Sequence, residues 1–244
     1  MIFLALGLIG FGVADLVRWS PDDVTPLRVG VATVSGAIAV GLVAALCGMA
    51  PIGVLAAGAL ALAVLALWSG YELIFPGDPR PEYVLGLLIA TVLGLVAVSG
   101  KADPVGGDIA SWYGGLDFGF VHTVPVGQFL LGVGATLFLL ATGNRIVRFT
   151  LAATGSPAEK GEDALRGGRL LGPMERLLVA ASIVAGGFAG AGFVIAAKGL
   201  LRFRELTQPE APPKVDSITE YFLIGTFTSV LVAGICSLLV LAAT

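Results

Sequence analysis

Uncharged apolar runs of bilayer length recur along this chain, and no other feature narrows its possible folds so far. Leu177 to Ala197 contains no charged residue, and neither does Tyr221 to Thr244. Crossing the hydrocarbon core takes about 20 such residues as a helix, and inside lipid the backbone must satisfy its own hydrogen bonds. Of the 244 residues, 57% are hydrophobic and 13% charged, with a mean hydropathy of +0.95. A water-soluble domain of this length needs far more polar surface. The expected fold is therefore an all-α polytopic transmembrane helical bundle, a single integral membrane domain over residues 1–244.

Seven spans fit the pattern, at approximately 2–19, 27–49, 51–73, 82–99, 124–147, 173–202 and 221–243. A tight Cys47-Gly48-Met49-Ala50-Pro51 corner joins the second to the third, with Pro placed to start a helix. The breaker-rich segment Phe75-Pro76-Gly77-Asp78-Pro79-Arg80-Pro81 precedes the fourth. The apolar run from Ile2 lacks a basic leader, so it reads as a retained first helix and not a signal peptide. Between the fourth and fifth spans, Gly100 to Thr123 carries Trp112-Tyr113, Phe118 and Phe120. It is expected at the headgroup layer, or else as a re-entrant segment. Thr154 to Gly168 reads as a solvated linker. No internal repeat of the kind common in secondary transporters is evident.

Charge offers the next constraint. The net charge of −3 implies no nucleic-acid partner. With seven crossings, nine cations fall on one side (Arg18 and Arg148 among them) and five on the other, Lys101, Lys198, Arg202, Arg204 and Lys214. Basic loops tend to stay cytoplasmic, so the N-terminus is expected outside and the C-terminus inside.

Two charge groups could carry chemistry. On the outer side, Lys198 and Arg202 lie four apart on one helix face, with Glu220 opening the last span. They read either as a basic pocket for an anionic headgroup or solute, or as a snorkelling clamp that docks the last two helices. The inner group comprises Asp15 and Arg18 with Asn144, Arg145 and Arg148, and Glu175-Arg176. A carboxylate near a helix end costs roughly 1–3 kcal/mol unless paired, which predicts that Asp15 pairs with Arg18 or Arg145. Such a pair fits either a proton or ion path or a structural anchor. Gly186 and Gly190 form a small-xxx-small spacing on the sixth span, suited to close helix packing or a homo-oligomer contact.

Enzyme motifs are absent from the sequence: no nucleophile elbow, no zinc-protease helix and no phosphate-binding loop. One His (His122) and two Cys (Cys47, Cys236) cannot assemble the usual structural zinc sets. No enzyme activity, cofactor or metal is expected.

The last third reads Glu175-Arg176-Leu177-Leu178, then Ala196-Ala197-Lys198 with Arg202-Phe203 and Glu205, then Glu220-Tyr221-Phe222-Leu223-Ile224-Gly225-Thr226. In this it resembles a family of uncharacterised bacterial multi-pass membrane proteins over about 75 residues. The resemblance implies a bacterial inner membrane and singles out Glu175, Arg176, Lys198, Arg202 and Glu220, but implies no activity. Two functions stay open. One is binding or passage of a small ion, an anionic solute or a lipid headgroup; the other is a non-transporting membrane scaffold or assembly factor. A transporter needs a polar cavity reaching these charges, whereas a scaffold should hold them paired and occluded. An intramembrane enzyme is a third and weaker reading.

Overall fold

The computed structural model describes residues 1–18, 25–75, 80–100, 104–154, 168–206 and 215–243, with side chains omitted at 120, 122, 168–169, 201–206 and 215–221. The described residues form helices and no strand. In chain order these are α1 (Ile2–Val17), α2 (Pro26–Leu46), α3 (Pro51–Ile74), α4 (Pro81–Ser99), α5 (Gly107–Gly114), α6 (Val126–Leu140), α7 (Thr142–Ala153), α8 (Gly168–Val184), α9 (Phe188–Leu206) and α10 (Val215–Leu241). Helices α2, α3 and α4 each begin on a proline, whose missing N–H costs nothing in a first turn. The Thr25 hydroxyl accepts from the Arg28 N–H and caps α2.

α1 forms the centre. It is buried on nearly all sides, from Ile2 through Asp15, as an apolar helix without a polar face must be. Gly134 lets α6 approach α1 closely, since a Cβ there would lie 2.9 Å from the Ala5 carbonyl oxygen. The helices share two ends. At one end, the Met1 ammonium donates to the Ser99 carbonyl, and Gln128 of α6 donates to the Val240 carbonyl of α10. The opposite end gathers Asp15, Arg18, Glu72 and Arg145. There Gly225, early in α10, packs near Val147 and Leu151. So α1, α3 and α6–α7 run toward the charged end, and α2, α4 and α10 run back.

Four helices are long and apolar enough to cross a bilayer: Pro26–Leu46, Pro51–Ile74, Pro81–Ser99 and Phe222–Leu241. Val126–Leu140 and Thr142–Ala153 make a fifth if the pair, bent by 47°, is one span. Large apolar side chains face outward, Ile52 at 80% exposure and Leu55 at 73% among them. Such patches need a bilayer or a partner to cover them. The count thus falls short of the seven expected. α1 has 16 residues, about 24 Å at 1.5 Å per residue, shorter than a ~30 Å core.

Two expected spans are interrupted. The fifth, expected unbroken over 124–147, breaks at Ala141, where φ −111 and ψ −62 depart from ideal helical values. The sixth, expected as one helix over 173–202, is two helices. α8 ends at Val184, the chain turns through Ala185-Gly186-Gly187, and α9 runs back along α8. Gly186 has φ +75, a left-handed conformation costly for residues with a Cβ. The turn closes through the Gly186 N–H donating to the Ile183 carbonyl and the Gly187 N–H to that of Ser182. The small-xxx-small reading fails for the same reason. Gly186 is the reversal itself, and a Cβ on Gly190 would lie 3.0 Å from the Ser182 hydroxyl oxygen on the facing leg, so the two glycines share no continuous helix face.

The aromatic loop is partly helical. In α5, Tyr113 is buried against Phe129 (ring centroids 4.9 Å) and donates its hydroxyl to the Val124 carbonyl. Trp112 stays 54% exposed.

Candidate functional site

Asp15 lies in the last turn of α1 and is 5% exposed. Both of its oxygens are engaged. The Trp68 indole N–H donates to Oδ1 at 3.2 Å and Oδ2 at 3.0 Å, and Arg145 Nη1 donates to Oδ1 at 2.8 Å. Arg145, 4% exposed on α7, also donates through Nη2 to the Trp68 carbonyl at 3.0 Å. Its guanidinium stacks 4.6 Å from the Trp68 ring centroid and 5.3 Å from that of Phe149. Trp68 is fully buried, edge-on to Phe11 and Phe149. One indole thus supplies both a donor to the acid and a face to the base.

A second pair caps the first. Arg18 forms an ion pair with Glu72 of α3 and donates to the Ser69 carbonyl at 2.8 Å. Glu72 Oε1 lies 3.9 Å from Arg145 Nη2, which joins the pairs into one network. Arg148, one turn beyond Arg145, is exposed. The predicted pairing of Asp15 with Arg145 is present; Arg18 instead takes Glu72. Neither Trp68 nor Glu72 stood out in the sequence. The available signal was Glu72 itself, a carboxylate near the end of an otherwise uncharged helix.

Arg176, on α8, makes a separate knot where α6 breaks. Its Nη1 donates at 2.9 Å to the Leu139 carbonyl, in the last turn of α6, and its Nη2 donates to the Asn144 side-chain oxygen. A cation at a helix C-terminus meets both the unpaired carbonyls and the negative end of the dipole. Gly143 makes room for it, because a Cβ there would collide with the guanidinium.

Beside this knot, Lys198 Nζ donates to Glu175 Oε2 at 2.5 Å and sits 5.9 Å from the Phe222 ring centroid. The sequence reading put Lys198 and Glu175 on opposite sides of the bilayer. The reversal at Gly186 brings them together, so Lys198 belongs to the same end as the acidic and basic groups above. The expected partner Glu220, together with Arg202, has a side chain outside the described residues. A cavity of about 10 Å³ adjoins Lys198, lined by Glu175, Arg176, Thr226 and Ser229 among others. A larger hollow of about 370 Å³ lies between α3 and α4, lined by Leu67, Tyr71, Phe75, Arg80, Tyr83 and neighbours, and is mostly apolar.

Cys47 and Cys236 are buried and unpaired. Burial pushes the Cys47 thiol, at the α2–α3 corner, above its ordinary value, so it stays protonated at neutral pH. No group of His, Cys, Asp and Glu among the described residues could hold a metal ion.

No family model matches this chain, and no curated protein or solved structure matches it either. Its architecture and charge network therefore carry the functional reading by themselves.

Proposed function

We propose that this chain is a non-transporting scaffold or assembly factor of a bacterial cytoplasmic membrane, whose intramembrane charges hold its helices in register. The supporting observation is the enclosure of the central pair: the Arg145 and Asp15 side chains are 5% and 1% exposed. An ion pathway needs solvent access to its charges. Here the acid is saturated by Trp68 and Arg145, and Arg18 and Glu72 lie over it. The test is flux through proteoliposomes holding the purified chain, using dyes for H⁺, K⁺ and Cl⁻. Rates at the level of empty vesicles are expected. A protein-dependent flux abolished by Asp15→Asn would overturn the proposal.

A second reading is binding or passage of a small ion or anionic solute. The α6–α7 interruption lies against Arg176 of the α8–α9 hairpin, and broken helices are common where transporters bind ions. In that reading Lys198 and Arg202 would supply positive potential, Glu220 would orient them, and Asp15 with the arginines would form the inner vestibule. The same flux assay separates the two.

Orientation follows from the hairpin. In this proposal α8–α9 enters from the charged end and returns to it. From Glu175 to the turn at Gly186 is about 16 Å of helix, near half the hydrocarbon thickness. Every Lys and Arg among the described residues then falls in an element or connection at that end. The nine-to-five asymmetry of a seven-span reading becomes nearly complete. By the bias of basic residues to the cytoplasm, the charged end faces inward. With α1 taken as a sixth crossing beside the five spans above, both termini lie outside, which replaces the inward C-terminus expected from seven.

A further inference from the structure

We propose that the base of the α8–α9 hairpin binds one small inorganic anion of halide size. The cavity there, about 10 Å³, accommodates a single particle close to the size of a water molecule.

Its lining is rich in donors. Arg176 is 3% exposed, and its Nε has no hydrogen-bond partner among the described residues. The Thr226 hydroxyl oxygen is likewise buried and unpartnered, and Ser229 adds a second hydroxyl. Lys198 uses one proton on Glu175 and retains two more. Against these donors stands, among the described residues, one carboxylate, Glu175, already bound to Lys198.

The charge balance points the same way. Arg176 and Lys198 face the cavity, and among the described residues Glu175 is the only acid in its lining. The two Nη groups of Arg176 are spent on neutral acceptors, the Leu139 carbonyl and the Asn144 amide oxygen. Its positive charge is therefore buried with no carboxylate hydrogen-bonded to it among the described residues, a situation that favours a counter-ion. A cation would find too many donors and too few acceptors. This site does not depend on whether the chain transports anything, because a bound halide could equally be a fixed structural ion.

The experiment uses the full chain, purified in detergent in halide-free gluconate buffer and titrated with bromide at constant ionic strength. The unfolding midpoint is expected to rise saturably, by roughly 3–6 °C at ten times the half-saturating concentration. Thr226→Val, which removes one donor at nearly constant volume, should weaken the apparent affinity about tenfold, while Thr136→Val on the outer face of α6 should leave it unchanged. If Thr226→Val does not fold, chloride NMR on the native chain replaces it, and excess chloride line width that bromide competes away is expected. The proposal is overturned if the midpoint does not move, if it tracks ionic strength with any anion, or if Thr226→Val responds like the native chain. Chloride line width that bromide leaves unchanged would overturn it too.

Discussion

Trp68 shows how one side chain can make an intramembrane ion pair tolerable. Two charges withdrawn from water are costly unless their remaining donors and acceptors are met. Its indole N–H fills the Asp15 positions that Arg145 leaves open, its carbonyl takes an Arg145 proton, and its ring covers the guanidinium. Asp15→Asn should therefore destabilise the fold by about 3 kcal/mol in denaturant titrations in detergent. That is the lower end of the usual range for breaking a buried pair, because Glu72 remains 3.9 Å from Arg145. Replacing both partners, as Asp15→Leu with Arg145→Met, should recover most of that loss. A double variant no better than the single one would show that the pair is not the stabilising unit. Gly143→Ala tests the second knot. Its new methyl must displace a guanidinium held by two acceptors, at a cost of about 1–3 kcal/mol, read in the same titration. Of these residues, Asp15 was legible because a lone carboxylate in an apolar run demands a partner. Trp68 was not, since Trp in such a run ordinarily reads as packing or as an interfacial anchor.

The α8–α9 hairpin turns on a single backbone conformation. Gly186 and Gly192 both have open space where a Cβ would go, yet only Gly186 has a positive φ. Gly186→Ala should cost about 1–2 kcal/mol, whereas Gly192→Ala, inside α9, should stabilise by up to about 1 kcal/mol. A continuous sixth helix would gain from both, so thermal unfolding of the two variants separates the architectures. Charge reversal gives a second check on the same element. Glu175→Lys alone should reduce accumulation in the membrane, and Glu175→Lys with Lys198→Glu should restore it. Equal levels for the single and double variants would argue against their pairing. The starts of α2, α3 and α4 were readable to within a residue, that of α3 from Pro51. The breaks at Ala141 and Gly186 were not, because an Ala or a Gly pair changes hydropathy too little to mark an interruption.

For the bundle as a whole, the consequence of the hairpin is parity. An even number of crossings puts Met1 and the end of α10 on one face; an odd number separates them. Reporter fusions active only outside the membrane, placed after Thr244 and at Lys101, should both report an external position, and a fusion at Arg148 should report an internal one. An internal result after Thr244 would restore seven crossings and undo the orientation proposed above. That this is an all-helical protein with membrane-length apolar segments was legible from sequence alone. Hydropathy is a sum over neighbouring residues, and the backbone in lipid has few ways to satisfy itself. Only the folded arrangement revealed how many segments pass straight through, and which charges meet. Asp15 finds Trp68 and Arg145 across 53 and 130 residues of chain, and Glu175 finds Lys198 only because three residues between them reverse direction. Such partnerships depend on where helices are set beside one another, which no local sum over the chain contains.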